Sequence, residues 1–578
     1  MYPCCRWTST LAMMAVVSVL AGFGYVYVDR IWNPESTRAA EAETKNPTDE
    51  TPKQNPKDTP EPKVDPKDKK EPARTIVVEK APQVTKKDNT PQNTAVPMLG
   101  GSPSRNPVNL QARNMPTAWN VEGGKLENIK WEAKIGTRGY AGPTIAGGRI
   151  FVPTNNEFKP PMRPDPYKGA LMCFRESDGK HLWTKLHSMP PLKIIREGEK
   201  DGLCSMPAVD GDFVYYITPI GEVICAKAAT GDPVWKYDMM KELGVIPCYL
   251  NASSPLIVEG MVFVMTGNGR DEQGNLPAPK APSFVAFDKM TGKLKWKSNL
   301  PGKNIIEGQW ASPSYAKVNG QGQVLFPGGD AYLYSFEPKS GKLLWKFHLN
   351  PEGEEALFLK ESKKIGEPIF PAYPLAPAVI YEGKAYITVG VRPDNDYVAG
   401  WGHVWCIDLK KATTFGKTNK DRDVSAKNNN FDPKAEGNTK SALVWHYGGK
   451  VIPPPPKNDF NARKIVIGRV LASPCVHDGL VYVPEYAGYL HCLDAKTGKK
   501  VWEEDLRREF WSPPSFLDNK LYLSDSRGDI LILTAGRKKP KTISTIYMEA
   551  GMIAAPVAAN GTLYVLSSKK LYAVGPKR

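Results

Sequence analysis

From about residue 128 onward the chain alternates short apolar runs with polar punctuation. Ile150-Phe151-Val152, Phe213-Val214-Tyr215, Val262-Phe263-Val264, Val481-Tyr482-Val483 and Leu563-Tyr564-Val565 are β-branched and aromatic runs, each entered through a Gly-containing turn. Runs this short, bounded by turn residues, predict strands rather than helices. Each is preceded by a small residue or Met followed by Pro: Gly142-Pro143, Met206-Pro207, Ser254-Pro255, Ser312-Pro313, Ala376-Pro377, Ser473-Pro474, Ser512-Pro513 and Ala555-Pro556. A third apolar strand follows, then a tight polar turn and a strand carrying Trp. Leu490 to Trp502 shows the last part most clearly, with Asp494 to Lys499 as the turn. Gly179, Gly231, Gly292, Gly341 and Gly498 each stand four residues before a Trp.

A unit repeated at this internal spacing decides the fold before any local assignment does. Eight copies of a four-stranded unit predict an all-β, eight-bladed β-propeller. The last copy stops after Leu571-Tyr572-Ala573-Val574, whereas Ile129-Lys130-Trp131-Glu132 is a fourth strand without a copy of its own. Pairing the two closes the ring and removes two exposed edges. The regular placement of Trp131, Trp183, Trp235, Trp296, Trp345, Trp445 and Trp502 predicts wedges between blades rather than a binding ladder. The seventh copy lacks the Trp, with Ile543 to Tyr547 in its place. The fifth carries a Lys- and Asn-rich insert, residues 409–441, expected as a mobile loop.

Ahead of the repeats, Leu11 to Val28 is an uncharged apolar run of 18 residues, read within residues 1–32 as a transmembrane signal anchor. Cleavage near Ala40-Glu41-Ala42 is the competing reading; both export the rest of the chain. Residues 33–105 are rich in Pro, Lys, Glu, Asp and Thr and are expected to form a disordered tether, leaving 106–578 as the propeller.

Composition changes this picture little. A formal charge of +16 raises the question of a nucleic-acid partner. The cations are scattered over turns and tail, however, and no basic helix or recognition motif gathers them, so no nucleic-acid partner is expected. Of nine Cys, Cys173, Cys225, Cys406 and Cys492 share one repeat position, held elsewhere by Ala286, Ser335 and Ala573. That position calls for one small buried side chain per blade. Cys204, Cys248 and Cys475 are left over; a Cys204–Cys248 disulfide is left open as the less favoured reading. The seven His show no clustering.

Loops are the informative part of such a ring. Second-to-third strand loops are long at 154–169, 266–282 and 389–402, and blade-to-blade segments are long at 187–203, 346–371 and 446–470. All open on one face. Its candidate recognition residues are Arg163, Tyr167, Arg270, Asp271, Arg392, Asp394 and Trp401 in the loops. Tyr140, Trp310 and Trp511 precede innermost strands and are expected at the channel mouth.

The Asp-x-x-Thr-Gly-Lys-x-x-x-Trp-like turns make residues 128–578 resemble the pyrroloquinoline-quinone-like (PQQ-like) β-propeller repeat proteins. This family includes quinoprotein alcohol dehydrogenases and propellers similar to the BamB outer-membrane assembly lipoprotein. The resemblance implies two functions. One is a non-catalytic scaffold for protein partners of the cell envelope, with no cofactor, which the apolar run Leu11 to Val28 would anchor to the membrane on the periplasmic or extracytoplasmic side. The alternative is an oxidoreductase using pyrroloquinoline quinone and Ca²⁺, in which Thr266-Gly267-Asn268-Gly269 would make Asn268 a metal ligand. The adjacent-Cys pair of those dehydrogenases is absent from the propeller region, no haem-attachment motif occurs, and no Asp stands out as a base. The scaffold is therefore the favoured expectation; carbohydrate binding is neither supported nor excluded.

Overall fold

The computed structural model describes residues 95–576, apart from 158–165, 192–199, 249, 272, 355–370, 392–400, 452–453 and 455–462. The signal anchor and most of the tether therefore lie outside the described residues. Among the described residues, no helix is long and apolar enough to cross a membrane.

Eight antiparallel sheets follow one another along the chain. Blade 1 comprises Thr144–Ala146, Arg149–Asn155, Lys168–Arg175 and His181–Ser188; blade 2, Ala208–Asp210, Phe213–Ile217, Glu222–Lys227 and Pro233–Asp238. Blade 3 comprises Leu256–Val258, Met261–Met265, Phe284–Asp288 and Leu294–Ser298; blade 4, Ser314–Val318, Gln321–Pro327, Tyr332–Phe336 and Leu343–His348. Blade 5 comprises Val379–Tyr381, Lys384–Val389, His403–Asp408 and Leu443–Gly448; blade 6, Cys475–His477, Leu480–Pro484, Tyr489–Asp494 and Lys500–Asp505. Blade 7 comprises Ser515–Leu517, Lys520–Ser524, Asp529–Thr534 and Thr542–Tyr547. Blade 8 is built from both ends of the repeat region: Val557–Ala559, Thr562–Leu566 and Lys570–Val574 are completed by Ile129–Lys134, with Trp131 opposite Ala573.

The repeat positions have a common packing logic. Each Trp faces the small residue of its third strand: Trp183 opposite Cys173, Trp235 opposite Cys225, Trp296 opposite Ala286, Trp345 opposite Ser335, Trp445 opposite Cys406 and Trp502 opposite Cys492. A larger side chain there would push the indole out of the blade. Most of these indoles donate to a backbone carbonyl of the following blade, as Trp235 Nε1 does to Lys289 at 3.0 Å and Trp445 Nε1 to Ala495 at 2.9 Å. Gly498 lies under the Trp445 ring with φ +69°, and a Cβ there would stand 2.6 Å from the indole. Backbone conformation and ring stacking both require Gly at this turn.

Two departures have local causes. In blade 4 the Trp345 indole donates within its own blade, to Gln323 Oε1 at 2.8 Å. The usual next-blade turn is replaced by the insert after Asp408, which opens with a helix, Leu409–Phe415, capped by the Asp408 carboxylate. The expected mobile loop is thus corrected: Leu409, Ala412 and Val424 are fully buried and join the blade 4–blade 5 core. In blade 7 the wedge comes from elsewhere in the chain. Trp119, 6% exposed, packs with Tyr522, Ile532 and Val565, and its indole reaches Met548 Sδ at 3.2 Å. Tyr522 donates to the Pro116 carbonyl and Ser544 to that of Thr117, so residues 116–119 fill the groove that a seventh repeat Trp would occupy.

Residues 95–105, expected in the tether, instead belong to the ring. The segment 96–109 makes a circuit of the channel in blade order, bonding to each innermost strand or to the residue leading into it. Val96 exchanges hydrogen bonds with Ile145 of blade 1, and the Pro97 carbonyl accepts from Val209 of blade 2. Arg105 donates to Pro255, leading into blade 3, and to Pro313, leading into blade 4. The carbonyls of Pro103, Ser104 and Pro107 accept from Tyr315, Ile380 and Phe516 of blades 4, 5 and 7. Asn106 bonds both ways with Val476 of blade 6, and Asn109 donates to Ala558 of blade 8. Three of the accepting residues are Pro, which have a carbonyl to offer and no N–H left to satisfy. Val108–Asn109 adds a fifth, parallel strand to blade 7.

Cys204 and Cys248 are both thiols, so no disulfide joins them. Buried imidazoles give the fold an acid limit. Burial pushes His187 down to about 4 and pushes His348, His446 and His477 below their ordinary value. The unfolded chain takes up these protons near the usual imidazole value of about 6.5, whereas the folded chain resists them to lower pH. Stability is expected to be full above that pH and to decline steadily toward pH 4, which melting temperatures at stepped pH would show.

Candidate functional site

Innermost strands run from the long-loop face toward the short first-to-second turns. The strap of residues 96–109 crosses them near their middles, so it floors the channel and leaves a cup open on the long-loop face. The cup holds about 1230 Å³. Its wall is the ring of residues that begin each blade, among them Gly142, Met206, Ser254, Ser312, Ala376, Ser473, Ser512 and Ala555. Hydroxyls stitch this ring from blade to blade: Ser254 Oγ accepts from Met206 N at 3.0 Å, Ser312 Oγ from Ser254 N at 2.9 Å, and Thr388 Oγ1 donates to Ala472 at 2.8 Å.

Three of the expected face residues meet here. Tyr140, Trp310 and Trp511 line the cup. The Trp310 indole donates to the Cys248 carbonyl at 3.2 Å, and Trp511 meets Tyr486 edge-on at 5.7 Å between centroids. Sequence reasoning missed their aliphatic counterparts Leu250, Leu375, Leu471 and Ile553, which line the same cup. The available signal was position: each stands one to four residues before a blade start, as the aromatics do.

Charge is sparse. Arg138 and Asp201 approach at 3.9 Å on one wall, where Tyr140 hydrogen-bonds Asp201. Burial raises both the Tyr140 phenol and the Asp201 carboxyl above their ordinary values. At the floor, Arg105 is 1% exposed and donates only to carbonyls, those of Leu99, Ser254, Pro255 and Pro313. Burial pulls its guanidinium down to about 9.

The remaining described candidates, Tyr167, Arg270, Asp271 and Trp401, do not line the cup. Arg270 is spent on backbone carbonyls, donating to Gly274 of its own loop and to Ile305 and Ile306 of the blade 3-to-4 segment, while Asp271 caps the turn to Asn275. Lys200 lies over Tyr167 at 5.9 Å and Lys450 over Trp401 at 4.6 Å. Arg163, Arg392 and Asp394 lie outside the described residues.

A quinone site with Ca²⁺ would need several anionic or amide oxygens converging on the cup. Asn268 does not supply one. It is fully buried, with Oδ1 accepting from Ile246 N at 3.2 Å and Nδ2 donating to the Ala278 carbonyl at 2.9 Å. Among the described residues, no three His, Cys, Asp or Glu side chains form a metal-binding group. His403 does meet His446 at 2.9 Å and Glu354 at 3.0 Å, a contact not visible from spacing, but it joins blade 5 strands to the blade 4-to-5 segment and none of the three lines the cup. The described residues do not fit the quinone–calcium group, and no chemical step is derived through it.

Known proteins share this architecture. The family model described as outer membrane protein assembly factor BamB matches residues 168–363 and 440–577. The BamB protein of Moranella endobia is 19% identical over 411 residues, covering 69% of this chain and 88% of that protein. The dehydrogenase subunit of a quinone alcohol dehydrogenase from Gluconobacter oxydans is 32% identical over 180 residues, 30% of this chain and 21% of that protein. Among solved structures, a europium-containing methanol dehydrogenase superposes with a TM-score of 0.50 at 14% identity, covering 82% of this chain and 89% of that one. The repeat turns, the eight closed blades and a family match over more than half of its length agree: this chain belongs to the PQQ-like, BamB-type β-propeller family.

Proposed function

We propose that the chain is a non-catalytic recognition propeller of the cell envelope that holds a protein partner at its long-loop face. The observation that carries this reading is the cup itself: a floored cavity whose mouth carries Tyr140, Trp310, Trp511, Leu250, Leu375, Leu471 and Ile553, with the half-buried Arg138–Asp201 pair on one wall. A mouth of aromatic and aliphatic anchors suits the insertion of an apolar loop from another protein. The BamB relatives are named as outer-membrane assembly factors, which favours a protein partner in the envelope. In this reading the apolar run Leu11 to Val28 anchors the chain on the exported side, and the Pro-rich tether raises the local concentration of the cup at the membrane.

A photo-crosslinking side chain at Trp310 or Trp511 is expected to give a discrete protein adduct in intact envelopes. The same group at Val234, an exposed outer-strand position, is the control. Equal labelling at all three positions would overturn the reading. The quinone dehydrogenase alternative has local sequence similarity in its favour, but among the described residues no three His, Cys, Asp or Glu side chains gather as a metal-binding group.

A further inference from the structure

The outer strand of a propeller blade has one row of backbone N–H and C=O groups with no further strand of its own sheet to pair with, and proteins normally guard such edges with charge. Six of the eight outer strands here carry Asp, Glu, Lys or Arg. Blade 5 does not, but none of its outer-strand residues is exposed. Blade 7 is different. Thr542–Tyr547 reads Thr-Ile-Ser-Thr-Ile-Tyr, uncharged and rich in strand formers, with Ile543 42% and Tyr547 47% exposed. Among the described residues it pairs only with Asp529–Thr534.

The molecule already shows what an outer edge can accept. Residues 423–425 lie along the outer strand of blade 4: Asp423 bridges Lys346 in parallel, Val424 N donates to the Lys346 carbonyl at 2.9 Å, and His348 N donates to Ser425 Oγ at 2.7 Å. Along the blade 7 edge the described chain makes no backbone bridge of this kind; residues 116–119 reach the strand only through the Ser544 hydroxyl, which donates to the Thr117 carbonyl.

Charge at both ends of the blade 7 edge selects the occupant. Arg537, Lys538, Lys539 and Lys541 lead into it with no acid between them and Tyr547. Arg537 pairs with Asp494 and Lys539 with Glu504, while Lys538 and Lys541 are exposed. At the far end a groove of about 450 Å³ runs between Arg507, Arg527 and Tyr547. The Arg507 side chain is 89% exposed and only 3.9 Å from its nearest acid, Asp505, and Arg527 is exposed. The acids Asp525 and Asp529 are taken by Arg508.

We propose that the outer edge of blade 7 is a docking strip for an extended, acid-flanked strand of a partner protein, added to the sheet as a fifth outer strand. Two copies of this chain are disfavoured as occupants, because either strand direction brings cation against cation. Ile543 and Tyr547 offer apolar contact to alternate side chains of the incoming strand. This surface lies on the rim and is separate from the cup, so one propeller could hold two elements of a partner.

The test uses the full chain and a capped peptide of alternating threonine and valine with aspartate at both ends, followed by amide exchange. At about 1 mM peptide, exchange across Thr542–Tyr547 is expected to slow about tenfold or more. Thr545→Lys, at an exposed position, should abolish that slowing without moving the melting temperature. No slowing, equal slowing by a lysine-flanked peptide, or slowing confined to other blades would overturn the proposal. So would a concentration-dependent dimer that Thr545→Lys disperses, since it would make a second copy the occupant.

Discussion

A chain that starts at residue 110 is expected to be less stable than one that starts at residue 95 by about 5 kcal/mol or more, on the scale of about 0.5–1.5 kcal/mol net per lost hydrogen bond. The strap residues bond to all eight blades, so their loss leaves the inner edge of every blade unpaired at the floor of the cup. Replacement of Arg105 by Met isolates the largest single share. Its guanidinium is 1% exposed and bonded to four carbonyls. Met keeps much of the stem and removes every donor, leaving buried carbonyls without partners at about 1–3 kcal/mol each in the worst case. Removing the buried cation relieves part of that cost. The net expectation is a loss of about 3 kcal/mol, read from urea unfolding. A chain starting at residue 95 should match the full chain. Equal stability of the 95 and 110 chains would show that the strap contributes nothing to closure.

The second large effect is expected at Trp119. Trp119→Ala should cost about 3–5 kcal/mol, the usual range for emptying a buried aromatic site. The cavity would open between blades 7 and 8, where Tyr522, Ile532, Val565 and Tyr572 close around the ring. It would also remove the contact between the indole and Met548. Trp119→Phe, which refills most of the volume, should recover more than half of the loss. An unchanged unfolding midpoint in Trp119→Ala would mean that blade 7 does not need a wedge. Since blade 7 also carries the proposed docking strip, loosening there should raise amide exchange along Thr542–Tyr547 as well.

The ring was legible because its signals are local and repeated. A Trp four residues after a turn Gly, opposite a small side chain, specifies one blade corner wherever it recurs, and the orphan strand at Trp131 revealed how the circle closes. The strap was not legible. Pro97, Pro103 and Pro107 with Ser102 and Ser104 have the composition of the tether they follow, and their acceptor role exists only once eight strand edges surround them. Trp119 was missed because it lies outside the repeat frame and enters blade 7 from a distant part of the chain. The insert at 409–441 looked loose because its Lys and Asn residues dominate; the few apolar residues that anchor it, Leu409, Ala412 and Val424, are spread through it. At the site, aromatics drew notice while Leu250, Leu375, Leu471 and Ile553 did not, because single aliphatic residues carry no signal apart from their register. Conversely, Arg270 and Asp271 looked like surface recognition groups, yet Arg270 ties its loop to the blade 3-to-4 segment and Asp271 closes its own turn.

The central claim is that the cup recognises a partner and carries out no quinone chemistry. The most direct measurement is titration of the purified chain from residue 95 with pyrroloquinoline quinone and Ca²⁺, followed by absorbance and by dye-coupled alcohol oxidation. The account predicts no saturable binding and no turnover, with Asn268→Ala affecting only stability. Stoichiometric quinone and Ca²⁺ with turnover abolished by a change at Asn268 would contradict it.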